Sequence, residues 1–290
     1  MSVLQQEKYN VTLAQGTVGL SNIFTEGAHK VVDTSKFENE TYRIGFVSDN
    51  HLGSNKERLD VLEALYDIFE KEGIHDVYNG GNWIDGEAKF NKNEIHVFGM
   101  TNQIEYFVNH YPRRQGITTH FVAGDDHEGW YAQRECINIG EYAELKAQKA
   151  GRTDLHYLGY VEADIEFKAR NGSAIMKLMH AGGGTAYALS YTPQKLVESF
   201  SGGHKPQMLL IGHYHKFDFF YYRNCWVLQM GTTQDQSTFM RKKKIAAHVG
   251  GGILEFQQGI DGAINRCKCE FFPFFDMKYY ETHNFLREAA

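Results

Sequence analysis

Five short apolar runs in this chain each end in residues rich in Asp, Asn, Gly or His, and this recurrence constrains the fold more than any other feature. They are YRIGFVSD (42–49), DVYNGG (76–81), THFVAGD (119–125), AIMKLMH (174–180) and MLLIGHYH (208–215). Short runs of this composition predict buried strands. The intervals between the first three carry helical patterns. Leu59, Leu62, Leu65, Ile68 and Phe69 recur at helical spacing within 56–72, and Gly73 closes that segment. Residues 93–111, before Pro112, and 137–150, before Gly151, also read as helices. Beyond residue 155 the pattern turns to short strands, with one helix over 193–200. Helix–strand alternation followed by strand-rich sequence predicts an α/β fold with a two-sheet β-sandwich core flanked by helices. The economical division is a lead-in or small cap over 1–41, a main domain over 42–258, and a β-rich C-terminal extension over 259–290 packed on the core.

The chain is 290 residues long with 42% hydrophobic residues, enough for a sizeable core without disulfide support. Its formal charge of −6 argues against wholesale coating of nucleic acid or membrane, though not against a local basic patch. No apolar run approaches the roughly 20 residues that span a bilayer. The N-terminus, MSVLQQEKYNVTLAQG, lacks the pattern of a secretory leader. The expectation is a cytoplasmic protein with no membrane partner, whose four cysteines are reduced thiols. Cys267 and Cys269 alternate in a strand-like stretch and form only a weak metal signal.

The polar run ends carry the chemistry. They contain Asp49 and His51, then Asn82 and Asp85, then Asp125, Asp126, His127 and Glu128, then His180, and finally His213 and His215. Strand ends on one sheet edge converge, and α/β sites are commonly built there. Asp49/His51 and His213/His215 are each two residues apart, which directs their side chains the same way. Taken singly, a D-x-H is usually a surface turn and a lone His usually a core residue. Five such groups, each after a strand-like run, point instead to a metal centre.

The order D-x-H, G-D-x-x-D, G-N-H-[D/E], a lone His and G-H-x-H resembles that of the calcineurin-like metallophosphoesterase superfamily, over Tyr42 to about Gly231. LSYTPQKLVES, IGHYHK and TQDQSTFMRKKK are further similar to phage-encoded, nuclease-like members. The resemblance implies a hydrolase of phosphate esters holding two divalent ions, Mn²⁺ first, with Fe, Zn²⁺ and Mg²⁺ as alternatives. It assigns Asp49, His51 and His215 to one ion and Asp126, His180 and His213 to the other. Residue 82 takes the bridging position, and His127 lies outside the ligand shell, facing the substrate as a proton donor. Two departures stand out. Asn82 occupies a position that is Asp in the family, as a natural exchange or as a substitution that disables the enzyme. Asp126 occupies a position that is Asn, and Asp125 beside it is an alternative ligand.

These features imply a phosphodiesterase or nuclease, in the host cytoplasm if phage-encoded, acting on nucleic acid or nucleotides. A phosphomonoesterase and a catalytically impaired binding protein are the alternatives. Lys242, Lys243 and Lys244 follow Arg241 in a basic run that either contacts nucleic-acid phosphates or is a solvated face. Gly182–Gly184 permit close loop approach without forming a phosphate loop. Trp83 and Trp130 adjoin the ligand motifs, where they either stack on bases or pack beneath the site.

Overall fold

A computed structural model describes residues 29–35, 41–203 and 205–274. Two six-stranded sheets lie face to face. The first runs in the order β1 (His29–Asp33), β6 (Glu162–Lys168), β7 (Ser173–His180), β8 (Met208–Gly212), β10 (Cys225–Met230), β9 (Phe217–Tyr222). The second runs β12 (Ile264–Pro273), β11 (Gly250–Gln258), β2 (Thr41–Val47), β3 (Asp76–Asn79), β4 (Thr118–Ala123), β5 (Leu155–Tyr160). Strands β2 to β5 are mutually parallel, as are β7, β8 and β10. Parallel alignment brings the C-terminal ends of β2, β3 and β4 together, and likewise those of β7 and β8.

Period-two alternation divides each strand between two cores. Ile44 and Phe46 of β2 join Met208 and Leu210 of β8 between the sheets. Val47 of β2 packs in the outer layer against α1 (Leu59–Lys71), α2 (Met100–His110), α3 (Glu128–Glu135) and α4 (Ile139–Lys149). Leu209 and Ile211 of β8 pack outward with Val197 of α5 (Tyr191–Ser199). Strands with both faces covered read as continuous apolar runs, which is why MLLI shows no alternation in the sequence. The expected α/β architecture of two sheets with flanking helices is present.

Several local expectations differ. The helix predicted over 93–111 begins only at Met100, because Gly99 before it takes a left-handed φ of 82°. The preceding loop is pinned to Gly53, whose carbonyl accepts His96 N–H at 2.8 Å. Two short helices carry no sequence expectation: α3, and α6 (Thr238–Lys243). Within the supposed lead-in, His29–Asp33 pairs in parallel with β6 as an edge strand, while residues 1–28 lie outside the described residues. At the other end, β12 pairs along the whole of β11, and 275–290 lie outside the described residues. The Cys267 and Cys269 thiols pack against the inter-sheet core, and burial pushes Cys267 up to about 12. Neither belongs to a potential metal cluster among the described residues. No helix of the described residues is long and apolar enough to cross a membrane.

Phe46 has no solvent exposure and sits where the sheets meet. Phe46→Ala is expected to cost about 3–5 kcal/mol, read as a lowered denaturation midpoint. Phe90, 65% exposed, is the control, and its alanine variant should change stability by no more than about 0.5 kcal/mol. Similar losses from both would contradict this placement of the core.

Candidate metal centre

All five polar run ends meet at one end of the sandwich. Gly80 and Gly212, at the ends of strands from opposite sheets, lie back to back, and a Cβ on Gly212 would collide with the Gly80 carbonyl. This absence of side chains lets the two ligand-bearing edges touch. The ligand loops then bond to each other. Asp49 N–H donates to Gly81 O at 3.0 Å, and His51 N–H to Asn82 O at 2.8 Å.

Asp49, His51 and His215 form one group whose ligand atoms all lie within 4.8 Å of one another, and Asp126, His180 and His213 form another. In the first, His51 Nε2 is 3.1 Å from His215 Nε2, and His215 Nε2 is 3.4 Å from Asp49 Oδ1. In the second, Asp126 Oδ1 is 3.2 Å from His180 Nε2, and Asp126 Oδ2 is 3.4 Å from His213 Nδ1. Asp126, not the exposed Asp125, lies in this cluster. The groups adjoin, since His213 N–H donates to both Asp49 oxygens at 3.1 and 2.9 Å.

The remote ring nitrogens set the tautomers. His51 Nδ1 donates to Asp85 Oδ1 at 3.0 Å, His180 Nδ1 to Gly80 O at 2.7 Å, and His213 Nε2 to Gly183 O at 2.7 Å. Each bond turns the other nitrogen towards its cluster, as metal-binding histidines require. The Asn82 side-chain oxygen is buried without a hydrogen-bond partner among the described residues. A buried polar atom without a partner is rare, and this one borders a set of carboxylate and imidazole groups. The donor set fits a pair of divalent cations. It would take Asp49, His51 and His215 for one ion and Asp126, His180 and His213 for the other, with Asn82 Oδ1 beside the second. A Cβ on Gly124 would lie 2.8 Å from that amide oxygen and 3.0 Å from His180 Nε2, so the two border the same space.

Charge is distributed unevenly. Burial, reinforced by His127 and His215, lowers His51 to about 4 despite its bond to Asp85, so its ring is neutral. Burial alone would raise Asp49, but His215, His180 and His51 hold it below the usual carboxylate range. Burial opposes charge on His180 too, yet the bond to Asp126 and the charges of Asp49 and Asp126 raise it to about 10. The second cluster therefore holds an ion pair that a cation must displace.

Two residues of this centre have no role in the sequence reading. Asp85 accepts from His51 through Oδ1 and from Asn91 Nδ2 at 3.0 Å through Oδ2, so it orients the His51 ring. Its spacing three residues after Asn82 was the available signal. Glu128, fully buried, accepts Asn82 N–H at 2.9 Å and Gly124 N–H at 2.7 Å on one oxygen, tying the β3 and β4 loops together. His127 stands at the rim, with Nδ1 donating to Asp85 O at 2.7 Å and its ring 4.3 Å from that of His51.

A cavity of about 540 Å³ opens over the clusters. Trp130 lines it, whereas Trp83 is wholly buried against Phe107 and Phe121, so the stacking reading of Trp83 is overturned. Lys243 reaches the cavity rim, while Lys242 and Lys244 are exposed and do not line it. Gly183 and Gly184 also line the cavity.

No family model matches the sequence, and no curated protein does. Among solved structures, the chain is similar to an archaeal phosphodiesterase, at 12% identity over 80% of this chain and 100% of that one, with a TM-score of 0.43. It is also similar to GAP50 of the Plasmodium inner membrane complex, at 11% identity over 80% and 84% of the two chains and a TM-score of 0.47. A third is zinc-complexed Vps29 of Entamoeba histolytica, at 12% identity over 80% and 99% and a TM-score of 0.39. These likenesses are distant, and the reading of the centre rests on its side-chain geometry.

Proposed function

We propose that the chain is a metal-dependent phosphoesterase that hydrolyses phosphodiesters of nucleotides or nucleic acid. The observation that carries this reading is the pair of adjoining Asp/His clusters whose histidine tautomers are fixed from behind. Such a centre suits two divalent ions, with Mn²⁺ the first choice and Fe, Zn²⁺ or Mg²⁺ the alternatives. Two ions held there would lower the pKa of water and neutralise charge on phosphoryl oxygens.

The chain's own residues supply the rest. Asp85 and the carbonyls of Gly80 and Gly183 hold three ligand rings in register. His127, fixed through Nδ1, has Nε2 free to give a proton to a leaving oxygen. The cavity continues past His127 to Trp130, Phe239 and Lys243, leaving room for a group on the far side of a phosphate. That extension favours a diester over a terminal phosphate. Comparing bis-p-nitrophenyl phosphate with p-nitrophenyl phosphate after loading with Mn²⁺ tests the choice. Faster turnover of the monoester would overturn it.

Metal affinity should depend on pH in a definite direction. His180 is raised to about 10 and so carries a proton at neutral pH, whereas His51, lowered to about 4, does not. A cation competes with that proton, so affinity should rise with pH over roughly pH 6 to 9, by about tenfold per unit for each proton displaced. Calorimetry in buffers of differing ionisation enthalpy counts those protons. Affinity independent of pH would contradict the assignment of His180 as a ligand.

Asn82 offers one neutral oxygen where a carboxylate would offset repulsion between two cations. Asn82→Asp should tighten the second ion and raise diester turnover by about tenfold, or roughly 1.4 kcal/mol of barrier. A variant no faster than the parent with Mn²⁺, Zn²⁺ and Mg²⁺ would make Asn82 a working residue of this centre.

His127→Ala separates proton transfer from metal binding. Turnover should fall by about 10²–10⁴-fold while metal content, measured by elemental analysis, stays the same. Loss of metal in that variant would place His127 among the ligands.

A further inference from the structure

Three aromatic side chains from separate parts of the chain form one wall of the cavity. Phe90 comes from the loop before α2, Trp130 from α3 and Phe239 from α6. The Phe90 ring lies 5.3 Å from Trp130 and 6.2 Å from Phe239, and Trp130 lies 4.5 Å from His127. The row thus starts beside the metal clusters and runs outward. Phe90 is 65% exposed and Phe239 50% exposed, although the chain has interior space for many other large aromatics. Met240 and Ile245 extend the apolar surface below the row.

This wall is also held in place. The Glu94 carboxylate accepts Thr238 N–H at 3.1 Å, and Ser237 Oγ caps the same helix by accepting Met240 N–H at 3.2 Å. The Glu94 contact bonds the segment carrying Phe239 to the loop carrying Phe90. Lys243 stands on the rim, its Nζ 6.0 Å from the Phe239 ring centre. Flat apolar faces beside a cation, leading away from a phosphoesterase centre, match a nucleobase attached to a phosphate. Stacking requires an open base face, and bases inside a duplex have both faces covered by their neighbours.

We propose that Phe90, Trp130 and Phe239 are a stacking subsite for an unpaired nucleobase next to the scissile phosphate, and that the preferred substrate is single-stranded or a free nucleotide diester. This rests on the phosphodiesterase reading and adds its specificity. Stacking reads the π-face, which every base has, so little base preference is expected.

Equilibrium binding tests the subsite. The probe is a dinucleotide carrying 2-aminopurine, compared with the same dinucleotide bearing an abasic residue, in the full chain with His127→Ala so that the probe persists. The base-bearing probe should bind more tightly, and its fluorescence should be quenched. Replacing Phe90 and Phe239 by alanine should weaken its binding by about tenfold or more and restore fluorescence, while abasic binding stays unchanged. Leucine at both positions keeps apolar bulk without a ring and should weaken binding as well. Equal binding of the two probes, full retention with leucine, or a duplex bound as tightly as a single strand would overturn the subsite. Base-dependent binding with no hydrolysis by the unmodified chain would sink the phosphodiesterase reading alone. Hydrolysis of both dinucleotides at equal KM would sink the stacking subsite alone.

Discussion

A carboxylate with no access to solvent has to be compensated from inside the protein, and Asp49 is compensated from both sheets at once. Its side chain accepts His213 N–H from beyond the end of β8 and the hydroxyl of the preceding Ser48 at 2.5 Å. Its backbone N–H donates to Gly81 beyond β3, and its carbonyl accepts Thr232 Oγ1 at 2.7 Å beyond β10. One residue therefore fixes the relative height of four strand ends. Neutralising it would leave the His180 imidazolium without one of its counter-charges. Removing one partner of a buried charge network costs more than the network contributes as a whole, because the remaining charges are left uncompensated.

The same convergence explains where the backbone departs from its preferred conformations. Asp49, His51, Asn82, His127, His213 and His215 all have positive φ, between 48° and 88°, six of the eleven such non-glycine residues among those described. Each left-handed residue with a Cβ costs about 1–3 kcal/mol. Extended continuations would carry these side chains past one another along their strands. Reversing the chain at each ligand turns them into a common space. The sandwich core and the loop-to-loop hydrogen bonds sustain this, so the clusters are preorganised rather than gathered by their ligand.

How much of this was legible in the sequence follows from how local each feature is. The grouping of Asp49, His51, Asp126, His180, His213 and His215 is what the family resemblance implies, whereas apolar run plus polar end is a local pattern, so β2, β3, β4, β7 and β8 could be anticipated from the residues themselves. The Asp125/Asp126 choice could not, because neighbouring carboxylates differ only in which way the turn directs them. α3 and α6 span 8 and 6 residues, too short for a helical period to stand out. β1 is an edge strand with alternating half-exposed residues, so HKVVD lacks the apolar density of the central strands. The aromatic wall is the least local feature, since Phe90 and Phe239 meet only through the loop before α2. The lysine run shows the converse. Its three residues are equivalent in sequence, yet the helix leaves only Lys243 at the cavity.

Asn82 is best understood through the charge beneath it. Its N–H rests on Glu128, whose carboxyl burial pushes up to about 8, so that this group is neutral at physiological pH. The other Glu128 oxygen is buried without a partner among the described residues. Around this point stand Asp49 and Asp126, both held ionised, with the His180 imidazolium beside them. A carboxylate at position 82 would add a further negative charge to a closed space before any metal arrives. Desolvation would then have to be met by drawing a proton onto one of the acids or a cation into the site. An amide avoids that added charge. Cations occupying both clusters would then share one less negative charge between them than with a carboxylate at position 82.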